Sequence, residues 1–376
     1  MKNHIESLQI ETYRGIKDLH VDNLGSVNVF VGDNNTGKTS VLEAIELMCN
    51  PNMYSLIQIA RQRERFKPMV RMGLNILDSV LYMFDVKVCN RQVNEYRLSV
   101  GGCIQNETGK VMVTGKVIDE LVDMTELAKH NPFVRNRLSH VVVEEQEEVP
   151  TLIGDINNTF KKCKQLTPFD ASSNHFEINE YTRVMGDKEE NSILNVKMIQ
   201  TVDHLIDNSF DRLIKNRDTR KRAVELLKEF DENITDIRYI NDDRNFIPVI
   251  ENKEGDYIPL SLYGDGMKKA LTMLNAIVSA ENGVVLIDEF ETALHTSAMS
   301  EVFKFILDVS KKLNVQLFLT THSIEAVDKL LGSAGKDVND IRIIRLRKKA
   351  GVTYAKVTNG ADAIEGRKEY NMELRI

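Results

Sequence analysis

The sequence has no apolar run approaching the ~18 residues that a membrane-spanning helix requires. Its first residues also lack the apolar core of a signal peptide and pass directly into a strand-like pattern. The cysteines number only four, and none forms a Cys-x-x-Cys pair, which argues against disulfides and against a zinc site. We therefore expect a cytoplasmic protein with reduced thiols and no membrane partner.

Length and charge set the broad class. At 376 residues, 42% of them hydrophobic, the chain is long enough for about two or three packed units. The net charge of -7 does not favour nucleic acid as a global partner. Basic clusters at 61–67, 212–222 and 342–349 could still contact DNA. Interspersed acids and the lack of neighbouring aromatics favour solvated helix faces instead.

Residues 32–39 read GDNNTGKT and fit the phosphate-binding pattern G-x-x-x-x-G-K-[ST] at every position. An apolar, β-branched stretch precedes the pattern and a stretch with helical spacing follows it. Strand, loop and helix in this order favour a nucleotide site over a glycine-rich turn that matches by chance. The predicted nucleotide-binding residues here are Gly32, Asn34, Asn35, Thr36, Gly37, Lys38, Thr39 and Ser40.

Two of these residues have distinct predicted roles. The ammonium group of Lys38 reaches the β- and γ-phosphates, and the hydroxyl of Thr39 binds Mg²⁺. The loop N–H groups and the helix N-terminus add a concave anion-binding nest. The implied ligands are ATP and Mg²⁺.

Continuous apolar strands alternate with helices near the start of the chain and again after residue 234. This pattern predicts an α/β fold whose parallel sheet is covered by helices on both faces, with antiparallel strands near the N-terminus. We assign 1–50 and 234–376 to an ATPase head and 51–150 to antiparallel strands and helices that complete it. Residues 151–233 are assigned to a mainly helical insertion for assembly or partner binding.

Two local predictions concern the middle of the chain. Apolar residues within 190–230 recur at helical spacing, beginning with Ile193, Val196 and Ile199. The acidic run at 144–148 predicts a solvated loop.

Asp288 and Glu289 follow the apolar strand at 284–287. Asp288 is placed to complete the Mg²⁺ shell beside Thr39, and Glu289 to orient or activate the attacking water. The alternative is a simple helix cap. His322 lies beyond the next buried strand, where it either contacts the γ-phosphate as a switch residue or caps a helix.

A second segment that could bind phosphate precedes the helix that is predicted to begin at Met267. The segment 261–266 reads SLYGDG and combines a serine, two glycines and a helix N-terminus. The commoner use of such a string is a helix cap with a turn.

Taken in order, these elements resemble the ABC-type ATPase heads of the RecF, SMC and OLD group. The resemblance covers 1–50 and 234–350, and it includes an arginine of the opening strand, Arg14. It rests on the Walker A loop (32–39), the signature (Ser261, Gly264, Asp265, Gly266), the Walker B acids (Asp288, Glu289) and the switch histidine (His322).

The resemblance implies a fold, an activity and an assembly. The fold is an ABC-type P-loop head with a mixed sheet, and Lys38, Glu289 and His322 carry ATP hydrolysis. Two heads sandwich two ATP molecules, so the signature acts in trans and the chain is at least a dimer. Arg14 joins the nucleotide-binding set. The Q-loop glutamine stays open among Gln58, Gln92, Gln105 and Gln146.

The same resemblance suggests a biological setting. OLD nucleases continue into a Toprim domain, whereas this sequence ends at Ile376, so nuclease or toxin activity is expected in a separate effector protein. ATPases of this size occur in two-gene anti-phage systems such as PARIS and Septu, with a phage protein or DNA as trigger. The alternatives are a RecF-like DNA repair ATPase and a scaffold that uses ATP structurally.

Overall fold

A computed structural model describes residues 3–63, 74–84, 95–130, 146–161, 175–182, 192–205, 209–242 and 245–370. Within these ranges, none of the helices is both long and apolar enough to cross a bilayer. Cys49 and Cys103 are free thiols, whereas Cys89 and Cys163 lie outside the described residues.

Among the described residues, single strands and helices alternate between residues 265 and 349, and before that the strands follow one another in groups of two or three. The strands are β1 Ile5–Tyr13, β2 Ile16–Val21, β3 Val27–Val31, β4 Tyr96–Ile104, β5 Glu107–Asp123, β6 Gln146–Asn158, β7 His175–Ile178, β8 Val196–Ile199, β9 Ile234–Asp242, β10 Asn245–Asn252, β11 Tyr257–Pro259, β12 Val284–Ile287, β13 Gln316–Thr320, β14 Ile341–Lys349 and β15 Val352–Asn359. The helices are α1 Lys38–Cys49, α2 Met53–Gln62, α3 Ile76–Leu81, α4 Met124–His130, α5 Asp211–Lys215, α6 Arg217–Lys228, α7 Asp265–Ser279, α8 Thr296–Lys312, α9 Ile324–Ser333 and α10 Gly360–Tyr370.

The central sheet has the strand order β15-β14-β3-β13-β12-β8. Its strands run parallel except for β15, which pairs antiparallel with β14. Strand β12 is buried at every residue because both faces of the sheet are covered. Val284 and Leu286 enter one hydrophobic core, and Val285 and Ile287 enter the other, as the alternation of side chains along a strand requires.

A second, antiparallel sheet has the order β2-β1-β4-β5-β6-β7. Helix α1 lies between the two sheets and is buried around nearly its whole circumference, as expected of a helix that packs on every side. A small antiparallel sheet, β11-β10-β9, packs on the opposite core together with α5 to α9.

Gln316, at the start of β13, joins the two large sheets. Its fully buried side chain accepts hydrogen bonds from the backbone N–H of His4 (3.0 Å) and of Ile5 (2.7 Å). Its amide nitrogen donates to the carbonyl oxygens of Ile5 and Gly25, both at 2.8 Å. One side chain therefore contacts four backbone groups, and of these the Gly25 carbonyl also accepts from Asn28 Nδ2 at 2.8 Å.

Gln316→Leu should lower the free energy of unfolding by about 3 kcal/mol, because the buried N–H groups of His4 and Ile5 and the carbonyl of Ile5 lose a hydrogen-bond partner without a replacement. Urea titration without nucleotide measures this change. Gln9→Leu, at an exposed position of β1, is the matched control and should change stability by less than about 0.5 kcal/mol. Equal effects of the two substitutions would contradict the assigned role of Gln316.

The structure corrects two predictions for the middle of the chain. Val196–Ile199 is not helical: it forms β8, parallel to β12 at the sheet edge. A strand of four residues is too short to show a clear two-residue alternation of apolar side chains. The apolar residues in and around it happened to fall at helical spacing, which led to the wrong prediction. The acidic run is not all loop, because Gln146 to Glu148 pair with Leu121 to Asp123.

The predicted boundary between 150 and 151 falls inside β6, so it separates no structural units. The strands from β4 to β7 form one sheet with β1 and β2. Among the described residues of 151–233, the mainly helical part begins after Ser209, with α5 and α6. The last strands are followed by a helix, α10.

Candidate nucleotide-binding and hydrolysis site

The phosphate loop connects β3 to α1, as the sequence predicts. Gly32 and Gly37 adopt φ of 147° and 99°, values that side chains with a Cβ rarely adopt. A Cβ on Gly32 would also lie 2.5 Å from the carbonyl oxygen of Leu346. Asn35 is left-handed as well, with φ 65°. Together with the N-terminus of α1, this backbone forms an anion-binding concavity.

Lys38 folds back over this loop. Its Nζ donates to the carbonyl oxygens of Gly32 (2.8 Å) and Asp33 (2.9 Å), and the residue is nearly buried. Burial lowers the pKa of this ammonium, while the neighbouring acids, Asp288 first among them, oppose the shift. The charge is thus held at the centre of the loop, where a phosphate would bind.

The Asp288 carboxylate lies directly beside Thr39. Thr39 Oγ1 is 3.1 Å from Oδ1 and 3.2 Å from Oδ2 of Asp288. Thr320, at the end of β13, donates its hydroxyl to Oδ1 at 2.6 Å. Asp288 is therefore held by two neighbouring elements of the fold.

This donor set fits Mg²⁺, which takes oxygen ligands and usually binds through one or two carboxylates together with substrate phosphates and water. The described residues contain no cluster of three or more His, Cys, Asp or Glu that could hold a metal by themselves. Asp288 and Thr39 would hold the ion, and the bound ion would offset negative charge on the phosphates.

Glu289 is oriented by an unusual backbone. Its φ of 46° lies in the left-handed region, which costs a non-glycine residue about 1–3 kcal/mol and tends to occur at functional sites. Its N–H donates to Thr320 Oγ1 at 2.9 Å, so one hydroxyl holds both acids. The half-exposed carboxylate is accessible to a water molecule.

His322 lies between Lys38 and Glu289. Its Nδ1 is 3.5 Å from Lys38 Nζ, and its Nε2 is 3.6 Å from Glu289 Oε1. Because an ammonium can only donate, a hydrogen bond from Lys38 requires the tautomer in which Nδ1 accepts and Nε2 carries the proton towards Glu289. The structure thus brings together the three predicted catalytic residues, Lys38, Glu289 and His322.

Comparisons with known proteins identify the family. The AAA_15 family, described as an AAA ATPase domain, matches residues 1–327, most of the chain. The chain belongs to this ATPase family. An "ATP/GTP phosphatase" of Helicobacter pylori is 22% identical over 339 residues, 87% of each chain. An uncharacterized protein of Methanocaldococcus jannaschii is 32% identical over 112 residues, covering 30% of this chain and 98% of that protein.

Solved structures of SMC heads are also similar to this ATPase. The SMC head domain from Thermotoga maritima has a TM-score of 0.46 at 11% identity, covering 95% of this chain and 100% of that one. An SMC head bound to the C-terminal winged-helix domain of ScpA has a TM-score of 0.48 at 12% identity, covering 96% and 100%.

The predictions of an α/β fold with a mixed sheet flanked by helices and of ATP hydrolysis are confirmed. The observed mixed sheet, flanked by helices, carries the phosphate loop and the acid pair at one edge. With membership of an ATPase family, this makes the chain an ATPase.

A salt-bridge network in this ATPase contains two of the predicted nucleotide ligands. The guanidinium of Arg14 donates to the fully buried Glu43 at 2.7 Å. Arg63 contacts the same carboxylate at 2.7 Å and donates to Ser40 Oγ at 2.9 Å. Nucleotide binding by Arg14 and Ser40 stays a prediction. Within the basic cluster at 61–67, Arg63 is internally paired, while Arg65 and Lys67 lie outside the described residues.

The signature of the ATPase is exposed. Ser261 lies in a 3-10 helix, Leu260–Leu262, and Gly264 is the N-cap of α7. Nothing lies within 4 Å of a Cβ built on Gly264, and Leu262 is 76% exposed. Asp265 forms an ion pair with Lys268 at 3.0 Å. The signature is therefore open to a partner.

Gln200 was missed by the sequence analysis. It follows β8 at the carboxyl edge of the central sheet, and its neighbour Thr201 has Oγ1 3.4 Å from Asp288 Oδ2. Of the four glutamines considered for the Q-loop, Gln58 lies in α2, Gln105 in the β4–β5 turn and Gln146 in β6, while Gln92 is outside the described residues. The side-chain amide of Gln200 donates to Gln62 Oε1 at 2.9 Å.

Glu291 was also missed as a site residue. It accepts hydrogen bonds from Thr321 Oγ1 (2.6 Å) and from the N–H of His322 (3.3 Å), so it fixes the turn that carries the histidine. Burial raises the pKa of this carboxyl. The sequence did contain a signal for this residue. The segment DEFE at 288–291 places a third acid two positions after the Asp288–Glu289 pair.

Thr320→Val should reduce kcat about 10- to 100-fold while leaving ATP affinity nearly unchanged, because the hydroxyl orients Asp288 and Glu289 without facing the phosphate loop. Steady-state hydrolysis and nucleotide titration separate the two effects. Thr353→Val is the matched control, since the Thr353 hydroxyl is buried without a hydrogen-bond partner among the described residues. An unchanged kcat in Thr320→Val would contradict the assigned role.

Proposed function

We propose that this ATPase is a molecular switch that closes through ATP-sandwich sites between two copies and controls a separate effector protein. The observation that carries the proposal is the exposed signature. One chain contains a complete phosphate loop with its two acids. It also has a second potential anion-binding segment at the N-terminus of α7, and no atom lies within 4 Å of a Cβ built on Gly264 there. A single bound nucleotide does not need both of these anion-binding segments.

A dimer would use the two anion-binding segments together, one from each copy. The signature residues Ser261, Gly264, Asp265 and Gly266 of one copy would contact the γ-phosphate held by Lys38 of the other. Burial of Leu262, 76% exposed in the single chain, adds apolar area to the same contact. Closure then depends on the γ-phosphate, and hydrolysis at Glu289 opens the dimer.

Mixing two inactive variants tests the trans arrangement. Lys38→Ala removes the phosphate contact but keeps the signature, and Gly264→Glu places a repelling carboxylate at the signature, where the space is open. Each alone should hydrolyse ATP at least about 100-fold more slowly than wild type. Their mixture should regain measurable activity, because a heterodimer contains one intact composite site.

Gly332→Glu is the control for Gly264→Glu, since Gly332 is also exposed with nothing within 4 Å of a built Cβ. It should retain wild-type activity. Absence of rescue in the mixture, with both variants folded, would contradict a site shared between copies.

The effector part of the proposal extends the OLD-like resemblance to an anti-phage setting. The RecF-like alternative gains little from the basic helix α6, because Arg220 is paired with Asp236 at 3.2 Å and Arg238 bridges the same acid and Glu251. The open groove beside α6 is therefore of mixed charge rather than basic.

Capture with Glu289→Gln protein tests the effector. This change should slow hydrolysis and hold Mg²⁺·ATP in the closed state, so a nuclease- or toxin-like protein from the native host should co-elute in near-stoichiometric amount. Lys38→Ala protein, which does not close, is the control and should retain much less. Recovery of DNA and repair proteins with no such partner would favour the RecF-like alternative. The name of the H. pylori relative suggests comparing GTP with ATP in the same assays.

A further inference from the structure

Lys269 on α7 is completely buried, with 0% of its surface exposed. Lysine is almost never fully buried unless its charge is paired. The residue lies five positions after Gly264, on the same helix that begins at the signature. Neither the phosphate loop nor the acid pair requires it in the mechanism described above.

The ammonium group points towards the loop that follows β8. Its Nζ is 3.4 Å from the carbonyl oxygen of Thr201, and Thr201 Oγ1 is 3.4 Å from Asp288 Oδ2. The buried Asp203 anchors the same loop by accepting the N–H of Gln200 at 2.9 Å. Lys269 therefore connects the signature helix, through a single residue, to the carboxylate predicted to hold Mg²⁺.

Acidic groups surround this lysine. Asp203, Asp288, Glu291 and Glu289 all stabilise its charge, but burial outweighs them and lowers its pKa to about 8. A buried cation of this kind contributes little to the stability of the fold, because replacing it by an apolar side chain of similar volume often leaves the free energy of unfolding unchanged or raises it. Its place between two functional elements indicates another role.

We propose that Lys269 is a positioning residue that couples the signature, acting on the partner's nucleotide, to Thr201 and Asp288 of its own subunit. The inference rests on the proposed trans action of the signature. When the signature engages a γ-phosphate, α7 shifts, and the Nζ–Thr201 contact transmits that shift to the loop at 200–205. Nucleotide binding at one site thereby changes the geometry of the other site.

Lys269→Met tests the coupling, because it keeps the length of the side chain but removes the charge and the donor. We expect ATP affinity measured under non-hydrolysing conditions, without Mg²⁺, to change less than about twofold. We expect kcat to fall about 10-fold or more, and the Hill coefficient for ATP to fall towards 1, since coupling between sites is typically worth 5- to 150-fold in affinity. Loss of a merely structural contact would not change the Hill coefficient selectively.

Lys311→Met is the matched control. Lys311 is on α8, half-exposed and paired with Asp337 at 2.7 Å, at the opposite edge of the central sheet from the acids. It should retain the wild-type kcat and Hill coefficient. Urea unfolding checks that Lys269→Met is folded. If it is not, Lys269→Gln replaces it, because its uncharged and shorter side chain does not reach the Thr201 carbonyl, with the same expected loss of cooperativity.

A wild-type kcat and Hill coefficient in the folded variant would overturn the inference. The outcome is separable from that of the proposed function. If mixing Lys38→Ala with Gly264→Glu restores hydrolysis while Lys269→Met is silent, only the coupling role of Lys269 fails. If the mixture shows no rescue, the shared site itself fails.

Discussion

The Asp288 carboxylate is the point at which the parts of this ATPase meet. It receives hydroxyl groups from Thr39 at the start of α1, Thr320 at the end of β13 and Thr201 after β8. Hydrogen bonds to an ionised acceptor are stronger than neutral ones, so a single side chain fixes the relative positions of three elements. Entry of Mg²⁺ between Asp288 and Thr39 would replace one of these bonds, which makes the arrangement sensitive to the nucleotide.

The fold supplies rigidity behind this carboxylate. Strands β3, β12 and β13 are buried at every residue and pack against a core on each face. The chain then leaves the sheet in strained turns, with positive φ at Asn35, Glu289 and Ala293. Such strain is retained where the surrounding structure over-determines it. The close packing therefore allows Glu289 to be held facing His322 rather than relaxing.

Local chemistry made part of this site predictable from the sequence. The phosphate loop and the Asp288–Glu289 pair are contiguous motifs, and the strands before them, β3 and β12, are apolar at every residue except Asn28. By contrast, β8 contains the charged Lys197, and its place is decided by pairing with β12 rather than by its own pattern. Because β8 was missed, Gln200 was missed with it. The burial of Lys269 and the pairing of Arg63 with Glu43 are tertiary contacts that no local spacing encodes.

The central claim is that the γ-phosphate joins two copies through the signature. A structure of Glu289→Gln protein with Mg²⁺·ATP tests it most directly. The account predicts a two-fold dimer in which Ser261 and Gly264 of one copy contact the γ-phosphate bound at Lys38 of the other, with Leu262 covered. Monomers that hold Mg²⁺·ATP while the signature still faces solvent would contradict it.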